Sequence, residues 1–270
     1  MKIACAQFIP TFGDAGANAE RICEITSVSA ADLIVFPEAA LTGYCVSSDA
    51  EAKQISIPST HASLQQIERL LVDQGSYAIV GFAELDGEKV FNSAALFGPN
   101  GRIGIYRKTH IPFLGIDRFV TAGCDAPIFE TPFGNVAIAI CFDIRFPELA
   151  RSYALRGADL ICVPTNWPEG AQPSSDYICP ARAVENHVFI AAANRAGEEN
   201  GFRFIGKSKI IAPSGKILAS AEHDQETVIE AECDLFEARS KRVVQKPGEY
   251  EMDLWNARRP ELYGTLTANS

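Results

Sequence analysis

Long apolar runs are missing from this sequence. No segment approaches the ~20 consecutive apolar residues of a membrane-spanning helix. The apolar start, MKIACAQFIP, is interrupted at Gln7 and is too short for a secretory signal, so a cytoplasmic protein is expected. Metal-ligand spacing is missing as well. The eight cysteines, at positions 5, 23, 45, 124, 141, 162, 179 and 233, form no CxxC pair and no cluster with the four histidines. Reduced thiols without metal or cofactor are the expectation. Positive charge is in deficit, with 24 basic against 34 acidic residues and a net charge of −10, and no basic patch offsets it. That balance argues against nucleic acid and anionic membrane as partners. No linker composition divides the chain either, so residues 1–270 read as one domain, long enough to bury a large core.

What is present alternates between strand and helix patterns. Ile3 to Phe8 reads as a strand, and Asp14 as the cap of a helix carrying Ile22, Ile25 and Val28. Leu33 to Phe36 is a second strand, followed by an amphipathic helix over His61 to Asp73. Tyr77 to Ala83 and Val90 to Phe97 make a hairpin candidate around Asp86-Gly87, and Arg102 to Tyr106 is a further strand. Phe113 to Cys124 reads as loop. Strands over Asp159 to Val163 and Val188 to Ala193 flank a helix over Ser175 to Asn186. Phe204 to Ala212, Lys216 to Ala219 and Thr227 to Glu232 read as antiparallel strands, and Leu235 to Val243 as a last helix before a polar tail.

The stretch NVAIAICFDIRFPELA, residues 135–150, is the most informative. Val136 to Ile140 is a β-branched apolar run that ends at Cys141, and Pro147-Glu148 reads as the first turn of a helix with Leu149 and Tyr153 on its buried face. A cysteine at a strand-to-helix turn has its sulfur at the mouth of a sheet, near amide dipoles that favour the thiolate. Free cysteines are also common as inert core packing, so position alone leaves both readings open. Other residues stand in the same relation to strands. Glu38 follows Pro37 with apolar neighbours, Lys108 sits in the ordered exit RKTHIP, Trp167 lies in the loop PTNWPEG, and Asn194 ends another strand. In α/β sheets ligands bind beyond the carboxyl ends of strands, so these residues are candidates for one cleft. A carboxylate, an ammonium and a thiol together supply a general base, a fixed cation and a nucleophile. None of the four histidines follows a strand in the way a Cys-His couple would need, which leaves His110 as the histidine still open from sequence.

FPEAALTGY, YRKTHIP and ICFDIRFPE, in that order, resemble the three signature segments of the nitrilase superfamily of carbon–nitrogen hydrolases, and PTNWP, ARAVENHVFIAAANR, SKIIAPSG and RRPELYG extend the likeness from Met1 to about Leu266. The resemblance implies an α/β fold built as a four-layer αββα sandwich. It also implies a homodimer that pairs through helices near Pro147 to Arg156 and Ser175 to Asn186, where Tyr153, Leu155, Tyr177 and Val184 are candidates for the interface. It implies a catalytic triad of Glu38, Lys108 and Cys141, with the Phe142 N–H beside Lys108 as oxyanion donor. Asp117, Phe142, Asn166 and Trp167 are then expected at the substrate, a small-molecule amide. Two departures stand out. The loop after the lysine usually carries a second glutamate where this chain has Asp117, which either assists catalysis or orders Arg118. The cysteine is followed by Phe142-Asp143 rather than the Trp-Glu typical of nitrilases. CFDIRFPEL and RRPELYG resemble most the omega-amidase and Nit-type amidase branch, with nitrile and N-carbamoyl-amide hydrolysis as the alternatives. Arg145, Arg182 and Arg195 are candidates for a substrate carboxylate. A redox-sensing thiol protein, with Cys162 or Cys124 as resolving partner, and a non-catalytic binding protein are the readings from other classes.

Overall fold

In a computed structural model that describes residues 1–267, the chain begins with β1 (Lys2–Gln7), α1 (Ala15–Val28), β2 (Leu33–Val35), α2 (Asp49–Ile55), α3 (Ala62–Gln74), β3 (Tyr77–Asp86), β4 (Lys89–Gly98) and β5 (Gly101–Arg107). It continues through β6 (Ile128–Thr131), β7 (Gly134–Ile138), α4 (Pro147–Leu155), β8 (Leu160–Thr165), α5 (Cys179–Asn186) and β9 (Phe189–Asn194). A small hairpin, β10 (Glu198–Glu199) and β11 (Phe202–Arg203), is followed by β12 (Lys209–Ile211), β13 (Ile217–Ser220) and β14 (Thr227–Glu232), and a second hairpin, β15 (Arg242–Lys246) and β16 (Tyr250–Asp253), comes last.

Local chemistry accounts for many of these boundaries. The Asp14 carboxylate accepts from the Ala17 N–H at 2.9 Å and starts α1, whose buried face is Asn18, Ala19, Ile22 and Thr26. Pro147 opens α4, where its missing N–H costs nothing.

Two six-stranded sheets form, one in the order β14-β1-β2-β3-β4-β5 and the other in the order β13-β12-β9-β8-β7-β6. The period of two along each strand sorts the side chains. Ile3, Cys5, Leu33, Val35 and Ile79 join Val136, Ile138, Leu160, Cys162 and Phe189 in a core between the sheets. Ala4, Ala6, Ile34, Val80 and Phe82 point the other way, onto Ile22 of α1 and Leu64, Ile67 and Leu71 of α3. Leu149 and Tyr153 of α4 and Ala183 of α5 cover the outer face of the second sheet. This is the four-layer αββα sandwich. Each fully buried aliphatic side chain in it contributes roughly 1.5–3 kcal/mol.

Four expectations need correction. Phe204 to Ala212 is not one strand: Gly206 and Lys207 take left-handed backbone (φ +61° and +57°), which breaks the pleat and leaves only Lys209–Ile211 in the sheet. Thr227 to Glu232 does not extend the β12-β13 meander but crosses to the first sheet and pairs antiparallel with β1, Lys2 opposite Glu232. Leu235 to Val243 is no helix: a short 3-10 turn over Leu235–Arg239 gives way to β15, where Val243 and Val244 pair with β16. The helix over Ser175 to Asn186 begins as a π-turn, Ser174–Ile178, because Pro180 carries no N–H for a regular bond to Asp176.

The side chains offered for a subunit interface divide. Tyr153 is buried in its own core and its hydroxyl donates to the Ile138 carbonyl at 2.7 Å, whereas Leu155, Tyr177 and Val184 are exposed. Among the described residues, no helix is long and apolar enough to cross a membrane.

Candidate active site

Glu38, Lys108 and Cys141 leave different strands and converge at one end of the inter-sheet core. Glu38 is placed by a close backbone approach. The segment Pro37-Glu38-Ala39 lies so near Gly81 on β3 that a Cβ there would come within 2.4 Å of the Pro37 carbonyl oxygen, and the Leu41 N–H donates to the Gly81 carbonyl at 3.0 Å. Lys108 follows β5 and is fixed through its main chain, its N–H donating to Asn92 on β4 at 2.8 Å and its carbonyl accepting from Gly123 at 2.8 Å.

All three polar groups are out of water. Lys108 Nζ donates to Glu38 Oε1 at 2.8 Å and to Asp117 Oδ2 at 2.6 Å, with no exposed surface on any of the three side chains. Asn92 Nδ2 gives its two hydrogens to the same pair of carboxylates, Glu38 Oε1 at 2.7 Å and Asp117 Oδ1 at 2.8 Å. The Tyr44 hydroxyl adds a bond to Asp117 Oδ2 at 2.8 Å. Both Asp117 oxygens are thereby occupied. Glu38 differs, because its Oε2 is buried and accepts no hydrogen bond from the described residues.

One ammonium thus faces two carboxylates. Burial pushes the Glu38 carboxyl above the usual carboxylate range; the Lys108 cation pulls the other way, and the Asp117 charge adds to the rise. Burial alone would lower the Lys108 ammonium, but the Asp117 and Glu38 carboxylates outweigh it and hold the group well above its ordinary value. Lys108 is therefore a permanent cation.

Cys141 stands where β7 has ended and a 3-10 turn, Cys141–Arg145, begins. Its φ of +50° is left-handed, a conformation that costs a non-glycine residue about 1–3 kcal/mol and that bends the chain sharply at this point. Burial pushes the thiol well up and the Glu38 charge adds to this, while Lys108, the Thr165 hydroxyl and the Asn166 N–H pull it down. Burial of the sulfur thus favours the neutral thiol over the thiolate. The expected helix-dipole help for a thiolate is weak here, because a short 3-10 turn rather than a long α-helix follows the cysteine, and the residue is only 5% exposed.

A cleft of about 350 Å³ opens onto Cys141, lined by Pro112, Leu114, Phe142, Arg145 and Trp167 among others. Of the expected substrate residues, Phe142 and Trp167 line it. Asp117 and Asn166 do not: Asp117 is the counter-ion of Lys108, and Asn166 is fully buried with its backbone N–H toward the sulfur. Asp117 does not order Arg118 either, whose guanidinium donates to the carbonyls of Gly115 and Val46. Asn194 lies behind the wall, its side chain accepting from the Trp167 N–H at 2.7 Å and so holding that loop. Arg195 is buried against Glu199 and Phe204, and Arg182 donates to the carbonyls of Ile144 and Arg145, which leaves Arg145 as the arginine at the cleft. His110 is not beside the thiol; its ring meets Asp143 at 2.8 Å. Cys162 sits with Cys5 and Cys233, and Cys124 is exposed elsewhere, so neither is a resolving partner for Cys141. Among the described residues, no group of histidine, cysteine and acidic side chains could hold a metal ion.

Sequence reasoning missed Asn92 and Tyr44. The available signal for Asn92 was a lone amide inside the apolar run VFNSAALF, where an unpaired polar side chain would be costly.

Residues 2–243 match the carbon–nitrogen hydrolase family. The chain is 37% identical to a nitrilase of Pyrococcus abyssi across 97% of its own length and 99% of that protein. It is 32% identical to an omega-amidase of Xenopus tropicalis across 81% of its own length and 83% of that protein. An amidase structure from Nesterenkonia sp. superposes with a TM-score of 0.84 at 24% identity, covering 98% of this chain and 96% of that one. The family match and the two relatives agree: this chain belongs to the carbon–nitrogen hydrolases of the nitrilase superfamily.

Proposed function

We propose that the protein hydrolyses a small linear amide to a carboxylic acid and ammonia, with Cys141 as nucleophile, Glu38 as general base and acid, and Lys108 as oxyanion donor. The observation that carries this reading is the asymmetry of Glu38, whose charge is felt at Cys141: Oε1 is held by Lys108 and Asn92, and Oε2 has no partner among the described residues and is free to take a proton. Glu38 takes the thiol proton as sulfur attacks the carbonyl carbon. The negative charge then develops on oxygen, within reach of Lys108 and of the Phe142 N–H, which belongs to the first turn after Cys141 and so has no acceptor inside that turn. The C–N bond breaks, the Glu38 proton leaves with ammonia, and a thioester remains. Water that gives its proton to Glu38 attacks the thioester, and the acid is released with the thiol restored.

Ionised Glu38 is required for the first step, so activity falls as pH drops through its raised pKa. The acid limb of kcat/KM is expected above the roughly 4.3 of an ordinary glutamate. A profile that stays flat down to that value would remove Glu38 from the role of base.

The same site argues for amides over nitriles. A nitrile gives a thioimidate, which must take up water and be protonated again at nitrogen before ammonia leaves, so it needs one more proton shuttle than an amide. Of the two buried carboxylates that flank Lys108, Glu38 is the one with a free oxygen to run it, since Asp117 has both oxygens engaged by Lys108, Asn92 and Tyr44. Amide turnover is therefore expected to exceed nitrile turnover for matched acyl groups, read as kcat/KM by ammonia release. A panel of dicarboxylate monoamides, aliphatic amides, N-carbamoyl amines and the matching nitriles tests this, and preference for the nitrile member of a pair would overturn the amidase assignment while leaving the triad.

A further inference from the structure

We infer that Asp143 is a positioning residue that ties the Lys108 loop to the Cys141 elbow. The inference rests on the role proposed for Lys108 and goes beyond it, since Asp143 has no place at the reacting atoms. Its side chain is fully buried and accepts hydrogen bonds from both segments. On the lysine side, Oδ1 accepts from the His110 N–H at 2.9 Å, from the Thr109 hydroxyl at 3.2 Å and from His110 Nδ1 at 2.8 Å, and Oδ2 accepts from the Tyr106 hydroxyl at 2.7 Å. On the cysteine side, Oδ2 accepts from the Ile140 N–H at 2.8 Å. One carboxylate thus holds the residues on both sides of Lys108 and the residue before Cys141. The His110 ring is clamped in turn against Phe146, with centroids 3.9 Å apart and planes at 16°.

The arrangement addresses a specific difficulty. Lys108 and Cys141 come from strands of different sheets, β5 at an edge of the first and β7 in the second. The spacing between their functional atoms depends on how two loops settle rather than on a shared ladder. An acceptor-only group with four lone-pair sites is suited to gathering donors from two loops. An asparagine at the same place turns a hydrogen toward donors and breaks the set.

Asp143→Asn should therefore lower kcat per folded protein by about 10- to 100-fold, part of the loss expected when an oxyanion donor is removed outright. KM for the best amide of the panel should stay within about twofold, because the misplaced cation is felt mainly when the oxyanion forms. Tyr106→Phe and His110→Ala each remove only part of the set and should lower kcat roughly fivefold, also at constant KM. Folded protein is measured by near-UV circular dichroism, and the smaller variants decide the matter should Asp143→Asn not fold. Unchanged kcat in the folded variants, or a loss that resides in KM, would overturn the inference. Lys108→Met separates the two levels: if it keeps turnover, the proposed mechanism fails, whereas if it loses turnover and the Asp143 set does not, only the positioning role fails.

Discussion

Cys141→Ala is expected to lower turnover by at least about four orders of magnitude, the scale seen when a covalent nucleophile is deleted from a catalytic unit. Mass spectrometry should show no acyl adduct on the variant, where slow substrates leave a thioester on the native protein. The fold should survive. The sulfur lies at the base of the cleft, almost buried, and its removal leaves a void smaller than a leucine-sized deletion, costing about 1 kcal/mol. Alanine keeps the Cβ, so the strain of the left-handed φ at this position is unchanged. A folded variant with a substantial fraction of native activity would remove Cys141 from the nucleophile's role.

Lys108→Met should fail in two ways that arise from one cause. Catalysis loses its fixed cation, so kcat is expected to fall by roughly a hundred- to a thousandfold or more, with a smaller change in KM. Stability falls as well. Glu38 and Asp117 would be left buried and facing each other with no cation between them, and breaking a buried pair in this way costs about 3–5 kcal/mol. The variant relieves this by taking up a proton, so one carboxyl should titrate higher in the folded state than in the unfolded chain. A carboxyl raised by folding favours the folded state at low pH and loses that advantage as pH rises through its folded pKa. The thermal midpoint of Lys108→Met, relative to the native protein, should therefore improve from pH 8 to pH 5. A midpoint difference that does not vary with pH would argue that the two carboxylates are not left unpaired.

Much of the molecule is written locally. The cap at Asp14, the proline at the head of α4 and the two-residue periodicities of β1 and β3 each depend on neighbours a few positions away, so they are legible without knowledge of the fold. The catalytic candidates were visible for the same reason: a charged or reactive residue immediately after an apolar strand is a local pattern. The failures are non-local. Nothing in Thr227 to Glu232 says that its partner is β1 rather than the preceding hairpin, because strand pairing is chosen by the faces available across the whole sheet.

The alternating α/β order and the family signatures around Glu38, Lys108 and Cys141 are legible along the chain alone. The role of Asp117 is set by packing, which makes it the counter-ion of Lys108 rather than a partner of Arg118 or a wall of the cleft. Packing likewise makes Asn92 a bridge between two carboxylates, because the polar amide in its apolar strand meets those partners only once β4 lies beside Lys108. The physical reason is one of range. A cap or a strand pattern is set within a few residues of chain, but a buried charge cluster exists only where segments far apart in sequence are packed together and water is excluded from all of them at once.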